Sequence, residues 1–334
     1  MAELEGSTPL GLIELAKRTN NKQTLEIAEV LNETNEIIGD MVFVEANQQT
    51  SHVGTLRTVL PTGTWRKING GVSGEASQSE KVIAGIGMLE SYSNVDKSLV
   101  DLAPDKAMFR WGEDRAFVEG MGQTLADTML SGDVSADPEK FNGLQTRYPS
   151  TTIGGSNNVI LSETDDTGNV YSSIYIVQWG INKVHMIYPK GHQTVGIEVK
   201  DLGEQTDVEV DSTLHQSSKY HQVYRTHFKF WGGLFVHDPR CVKRIANVDT
   251  TDDYSSVTEI EVALIKALNL LPYGGVGAKI YCNPKIKSFL EIRAQSKTNV
   301  NLAITNAFGG PITSFWGYPI RRWDSITNTE DGIA

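Results

Sequence analysis

Three histidines, His215, His221 and His227, recur at a spacing of six, and imidazole is the commonest metal-binding side chain. On a strand, six residues keep the rings on one face but about 20 Å apart. On a helix they turn about 240° around the axis. Neither arrangement converges on one ion. Asp165-Asp166-Thr167-Gly168-Asn169 has the start of a calcium loop without the spaced oxygen ligands and closing Glu, and reads as a turn. Gly274-Gly275-Val276-Gly277 lacks the Lys-Ser/Thr that completes a phosphate loop, and Gly85-Ile86-Gly87 lacks the third glycine of a dinucleotide site. Gly71-Val72-Ser73-Gly74-Glu75 ends on Glu where a nucleophile elbow needs Gly. Cys241 and Cys282 have no Cys-His motif around them and read as small buried hydrophobes. The expectation is no catalytic residue, no cofactor and no metal, hence no enzyme.

Composition narrows the classes further. The 334 residues are 39% hydrophobic and 21% charged, which suits an ordered chain of two domains or one elaborated domain. Thirty Lys and Arg against 41 Asp and Glu leave a net charge of −11, the wrong sign for gripping nucleic acid by releasing counterions. Two cysteines cannot build a disulfide framework, so folding in a reducing interior is expected. The acidic start Met1-Ala2-Glu3-Leu4-Glu5 is unlike a secretory signal. The longest uncharged run, Thr167 to Asn182, is interrupted by Asn169, Ser172, Ser173 and Gln178 and is short of a membrane span.

The elements follow from periodicity. Residues 1–40 are acidic, with two short amphipathic stretches around 8–18 and 22–34 whose few apolar residues cannot make a core alone. They read as an arm, or as a helical hairpin lying on its own domain. Extended segments follow at Met41–Val44, Val53–Leu60, Thr64–Asn69 and Lys81–Tyr92, punctuated by Pro61, Gly63 and Asn69-Gly70-Gly71. A long ribbon so poor in apolar residues is marginal alone, so contacts outside its own chain should hold it; folding back on its own domain is the alternative. Met108, Phe109, Ala116, Phe117, Met121, Leu125 and Met129 predict one helix over Asp105–Ser131, about 40 Å long.

Strands are expected near Val159–Leu161, Val170–Gln178, Lys183–Ile187, Val195–Val199, Tyr220–Phe230 and Gly233–His237. Asp201, Glu204, Asp207, Glu209 and Asp211 read as an acidic loop preceding a basic stretch with Lys219, Arg225, Lys229, Arg240, Lys243 and Arg244. These charges pair between subunits or are simply solvated. Ser256-Val257-Thr258-Glu259 is a capping box for a helix with the face Ile260, Leu264, Leu268 and Leu271, ended by Pro272. Strand Ala278–Cys282 precedes Asn283-Pro284, an N-cap and first-turn proline opening a helix that buries Ile286, Phe289 and Leu290. Phe315 to Trp323 reads as a last strand.

An acidic arm, a Gly-rich ribbon, a long helix, a β-rich middle and a compact βα region together resemble the major capsid proteins of short-tailed double-stranded DNA bacteriophages with the Hong Kong 97 fold. The stretches that carry the resemblance are Leu56-Arg57-Thr58-Val59-Leu60-Pro61 through Trp65-Arg66-Lys67-Ile68-Asn69-Gly70-Gly71, and Phe315-Trp316-Gly317-Tyr318-Pro319-Ile320-Arg321-Arg322 through Asp324-Ser325-Ile326. Asn283-Pro284 and Gly309-Gly310-Pro311 add to it. The resemblance implies an α+β fold with an N-terminal arm (1–40), an extended loop and its base (41–95), a spine helix region of the peripheral domain (96–150), a β-rich segment with peripheral strands (151–250) and an axial domain (251–334). The strands near 214–247 precede the axial region, which suggests a rearranged chain order.

The resemblance further implies self-assembly as pentamers and hexamers into an icosahedral shell in the virion, assembled in the host cytoplasm. The shell would enclose double-stranded DNA without specific binding and without a membrane. A portal protein is implied as partner, with a decoration protein as an option. The short N-terminal region implies a separate scaffolding protein. Arg57, Arg66 and Lys67 are expected to pair with acidic groups of a neighbouring subunit, with Trp65 as buried anchor and Asn69 in the same contact. The competing readings are an encapsulin-type compartment shell, which shares the fold, and a β-rich receptor- or glycan-binding protein.

Overall fold

The computed structural model describes residues 19–20, 23–24, 35–151, 158–163, 170–192, 195–210, 217–251, 257–294, 302–307 and 310–333. In chain order the strands are β1 (Thr19–Asn20), β2 (Gln23–Thr24), β3 (Phe43–Glu45), β4 (Ser51–Val59), β5 (Gln78–Gly85), β6 (Gly87–Asp96), β7 (Val159–Leu161), β8 (Tyr171–Gln178), β9 (Val184–Tyr188), β10 (Ile197–Val210), β11 (Ser217–Val236), β12 (Val242–Asp249), β13 (Ala278–Cys282), β14 (Leu302–Ala307), β15 (Gly310–Phe315) and β16 (Tyr318–Arg322). The helices are α1 (Ile37–Asp40), α2 (Lys97–Leu102), α3 (Lys106–Ser131), α4 (Leu144–Arg147), α5 (Val257–Asn269) and α6 (Pro284–Ala294). The chain divides into two compact units, one of residues 1–33, 88–125 and 194–231, the other of residues 34–87, 126–193 and 232–334.

The larger unit is organised by a seven-stranded sheet in the order β14-β15-β16-β13-β8-β12-β7. All eight residues of β8 are buried, as expected of a central strand covered on both faces. Ile174 and Ile176 of β8 pack with Ile245 of β12, Ile280 of β13, Ile260, Leu264 and Leu268 of α5, and Ile286 and Leu290 of α6. Each fully buried aliphatic side chain here contributes about 1.5–3 kcal/mol. Elsewhere in this unit Tyr175 and Tyr281 pack on Trp323 at ring distances of 5.8 and 6.1 Å. Trp179 Nε1 donates to the Tyr281 hydroxyl at 2.8 Å, which in turn donates to Asp40 at 3.0 Å.

Local signals in α6 are realised as read. Asn283 Oδ1 accepts from the Ile286 amide at 2.8 Å, and Ile286, Phe289 and Leu290 are the buried residues of the helix. Asp105 caps α3 by accepting from the amides of Ala107 and Met108 at 3.0 and 3.1 Å. In α3 Phe109, Met121, Leu125 and Met129 are buried, whereas Met108 is exposed, as is Ala116. In the smaller unit α3 shares a core of Val95, Leu99, Val100, Ala103 and Phe109, and Phe117 stacks on Phe228 of β11 at 5.9 Å.

Several expectations are corrected. The stretch around 8–18 lies outside the described residues. Within 22–34, Gln23–Thr24 pair antiparallel with Thr19–Asn20 rather than continuing a helix, and Thr and Asn are poor helix formers. Thr64–Asn69 is not a strand, because no strand among the described residues pairs with it; Lys81–Tyr92 is divided between β5 and β6 at Ile86. The two segments at 220–237 are one strand, β11. The acidic segment is not a loop: Asp201, Glu204, Asp207 and Glu209 lie in β10, whose antiparallel pairing with β11 overrides their low strand propensity. The C-terminal tail is not one strand but a hairpin, β15–β16, turning at Trp316 and Gly317 with φ of 52° and 82°, the geometry a tight two-residue hairpin needs.

The last ten described residues are fastened by buried polar groups that no local pattern announces. Glu330 and Tyr171 exchange backbone hydrogen bonds. The Glu330 carboxylate accepts from Arg244 at 2.8 Å and from the Ser173 hydroxyl at 2.5 Å. Arg244 also donates to the Tyr148 carbonyl at 2.9 Å. Asn247 accepts from the Ile333 amide and donates to its carbonyl, both at 2.8 Å. The side chains of Arg244 and Glu330 are 3% and 7% exposed, so removing one charge strands the other. Glu330→Ala is expected to cost about 3–5 kcal/mol in urea unfolding, and the double change Arg244→Met with Glu330→Leu to recover most of that loss.

Candidate functional site

Strands β4 and β5 form a two-stranded ribbon, in register from Ser51 opposite Gly85 to Val59 opposite Gln78, with an irregularity between Arg57 and Val59. Beyond it, residues 60–77 contain neither helix nor strand. The tip is ordered by its own polar groups. The Glu75 carboxylate accepts from the amides of Thr62 and Gly63 at 2.8 and 3.2 Å, tying the two sides together. A turn closes where the Gly70 amide donates to the Lys67 carbonyl at 3.0 Å, with Asn69 at φ 65°. Arg66 folds over this turn and donates to the Gly70 carbonyl at 3.0 Å.

The apolar side chains of the tip are largely uncovered by the described residues. Leu60 is 68% exposed, Ile68 91%, and Trp65 is fully exposed. Of the residues singled out from the sequence, Trp65, Arg66, Lys67 and Asn69 come together around one turn, while Arg57 stands on β4 opposite Ser79. Between residues 51 and 85 there are four cations, Arg57, Arg66, Lys67 and Lys81, against Glu75 and Glu80, a local charge of 4 − 2 = +2 on a chain of net −11. A basic segment on an acidic chain favours a negatively charged partner surface.

The root of the ribbon is built more tightly. Ala46, Ala84, Ile187 and Phe235 form a small buried cluster there. Asn47 accepts from the Val53 amide at 2.9 Å and donates to the Val53 carbonyl at 2.7 Å. The Ile86 amide donates to the Thr50 carbonyl at 3.0 Å. Gly54 lies against Phe235 so closely that a Cβ would stand 2.5 Å from the ring, and a Cβ on Gly233 would stand 2.3 Å from the Gly85 carbonyl oxygen. Glycine at these places is a packing requirement.

The described residues that could have carried other chemistry are placed otherwise. His227 stacks on Tyr92 at 4.5 Å and its Nε2 stands 3.7 Å from Glu90. His215 and the Asp165–Asn169 stretch lie outside the described residues. Among the described residues no group of three His, Cys, Asp or Glu is arranged to hold a metal ion. Burial pushes the thiols of Cys241 and Cys282 up to about 11 and about 12, so both are protonated at neutral pH. No described helix is long and apolar enough to cross a membrane. Three carboxylates of β10 are engaged within the chain: Asp201 with Arg110 at 2.8 Å, Asp207 with Arg225 at 3.1 Å, Glu204 with Lys97 at 2.5 Å. The Arg110 hydrogen bond holds the Asp201 carboxyl below its usual range. For these three carboxylates neither an intersubunit partner nor simple solvation is needed, since α3, α2 and β11 of the same chain each supply the opposite charge.

Comparison with known proteins agrees with this architecture. The major capsid protein GP7 family matches residues 19–334. A chain in the structure of bacteriophage Epsilon15 is 26% identical, covers 99% of this chain and 99% of its own, and superposes with a TM-score of 0.76. The capsid of a native GTA particle is 10% identical over 68% of this chain and 95% of its own, at a TM-score of 0.47. The bacteriophage JBD30 capsid is 8% identical over 89% and 92%, at 0.44. No curated protein matches the sequence at the level required of a relative. The mixed fold with its long helix α3 is that of Hong Kong 97-type phage capsid proteins. The chain belongs to the major capsid protein GP7 family: it forms an icosahedral phage shell, resides in the virion capsid, and is a structural protein rather than an enzyme.

The close fit at the root yields a test. Gly54→Ala is expected to lower stability by about 1–3 kcal/mol in thermal unfolding, because the added methyl must displace Phe235 or lift the ribbon.

Proposed function

We propose that the tip of the ribbon is the principal contact by which one subunit holds its neighbour within pentamers and hexamers. The observation that carries this is the fully exposed Trp65 beside Ile68 on a ribbon with no core of its own. Large aromatic side chains dominate interface energetics when buried by a partner. Arg57, Arg66 and Lys67 surround this anchor and would pair with carboxylates of the adjacent subunit, setting orientation and encounter rate more than affinity. Asn69 fixes the turn that presents them.

In this reading residues 1–40 act as an arm, 41–95 as the extended loop with its base, 96–150 as the spine region, 151–250 as the β-rich peripheral segment and 251–334 as the axial domain. The shell encloses double-stranded DNA. A net charge of −11 suits confinement of the polyanion rather than adhesion to it. Assembly draws on a separate scaffolding protein and a portal protein, with a decoration protein as an optional outer partner.

Charge reversal at the tip separates folding from assembly. Arg66→Glu is expected to leave the thermal unfolding of the monomer within about 0.5 kcal/mol of wild type, as for an exposed substitution. The same change should abolish closed shells in sedimentation and negative-stain microscopy. Normal shells from this variant would refute the role given to the tip. Trp65→Ala should weaken assembly at equal monomer stability.

A further inference from the structure

Three histidines meet at the root of the ribbon. His52 of β4 packs edge-on against Phe235 at 4.5 Å and against His185 of β9 at 5.8 Å. His185 lies 5.3 Å from Phe235, and His237, just past β11, 5.9 Å from it. His185 is buried, and His52 half-buried. The Asn47 amide donates to His52 Nδ1 at 3.3 Å, so this nitrogen serves as an acceptor in the fastened root. The same Asn47 holds both backbone groups of Val53. A proton on His52 Nδ1 would therefore oppose the residue that fastens the ribbon.

We propose that His52 and His185, packed around Phe235, form a proton-operated latch that fastens the ribbon root at neutral pH and releases it on acidification.

The groups nearby offset this only in part, through the attraction between Asp238 and His237 and a Gly180 backbone hydrogen bond to His185. His52 and His185 face each other and His237. Asp238, next to His237, is occupied by Arg240 at 3.0 and 2.8 Å. Glu45 on β3 accepts from the Gly191 amide at 2.8 Å, and Lys183 donates to the Val276 carbonyl at 2.7 Å. Burial, and after it the neighbouring His52, lowers the His185 pKa from 6.5 to about 4. Burial and then His237 lower that of His52. Between about 4 and 6.5 the released root binds more protons than the fastened one, so its stability rises with pH across this window and is lost as pH falls through it. The latch is a property of the single chain and stands whether or not the tip docks as proposed above. If the tip does dock so, acid frees the segment that reaches the neighbour and makes the contact between subunits pH-dependent.

Hydrogen exchange of the full chain, read by mass spectrometry and corrected for the intrinsic pH dependence, tests the latch at about pH 7.5 and about pH 5. Peptides covering 47–54 and 82–87 are expected to lose about tenfold or more of their protection at the lower pH, while Tyr171–Gln178 in the sheet stays protected. The double variant His52→Asn with His185→Phe keeps an acceptor near the Asn47 amide and removes both titrating rings. It should hold its protection at both pH values. Should the double variant not fold, His52→Asn alone is expected to lose less protection than wild type. Unchanged protection of the wild-type root at the lower pH, or a loss in a folded variant equal to that in wild type, would overturn the latch.

Discussion

A two-stranded ribbon satisfies the inner hydrogen bonds of its strands but has no second layer to bury its side chains against. In β4 and β5 this constraint is met at one end only. At the root, Ala84 and Phe235 enter a buried cluster and Asn47 secures Val53. Toward the tip, Leu60, Trp65 and Ile68 stand in solvent. The surface cost of such a tip is large for a lone chain and small for one that is covered by a second copy. The larger unit supplies a rigid platform for the root and leaves the far end exposed.

The platform is rigid because its central strand is covered on both faces and because its chain end is sealed. β8 buries every residue, with Ile174 and Ile176 in the core shared with α5 and α6. Arg244, Ser173 and Glu330 form a buried polar cluster with the C-terminal segment. Such networks contribute specificity only when every member finds a partner, and become a liability when one is removed. In the smaller unit, ion pairs between β10, β11, α2 and α3 do a different job at the surface, matching strand to helix within one chain.

What could be read from sequence was what is encoded locally. Asn283-Pro284 fixes the start of α6, the spacing of Ile260, Leu264 and Leu268 fixes the face of α5, and Asn69-Gly70 marks the turn at the tip. The expectation of a ribbon too poor in apolar residues to stand alone came from composition, and the exposure of the tip follows from the same poverty. What could not be read depends on partners distant in the chain. Asp201 to Glu209 looks like a solvated loop until β11 is laid beside it. The pairing of Arg244 with Glu330 spans 86 residues, and nothing near either residue announces it. The packing of Gly54 against Phe235 is equally silent, since glycine in a ribbon usually signals a turn. Trp316-Gly317 hid a hairpin because its flanking residues suit one continuous strand. At the site itself, residue types and the turn were legible, whereas the histidines gathered around Phe235 were not, being 133 and 52 residues apart in the chain (185 − 52 and 237 − 185).

The central claim is that the tip is built for a neighbour. Electron cryo-microscopy of assembled particles, at a resolution that places side chains, tests it most directly. The account predicts that Trp65 is buried on an adjacent subunit, with Arg57, Arg66 and Lys67 facing its carboxylates. A tip that projects into solvent in the closed shell, or folds back on its own chain, would contradict it.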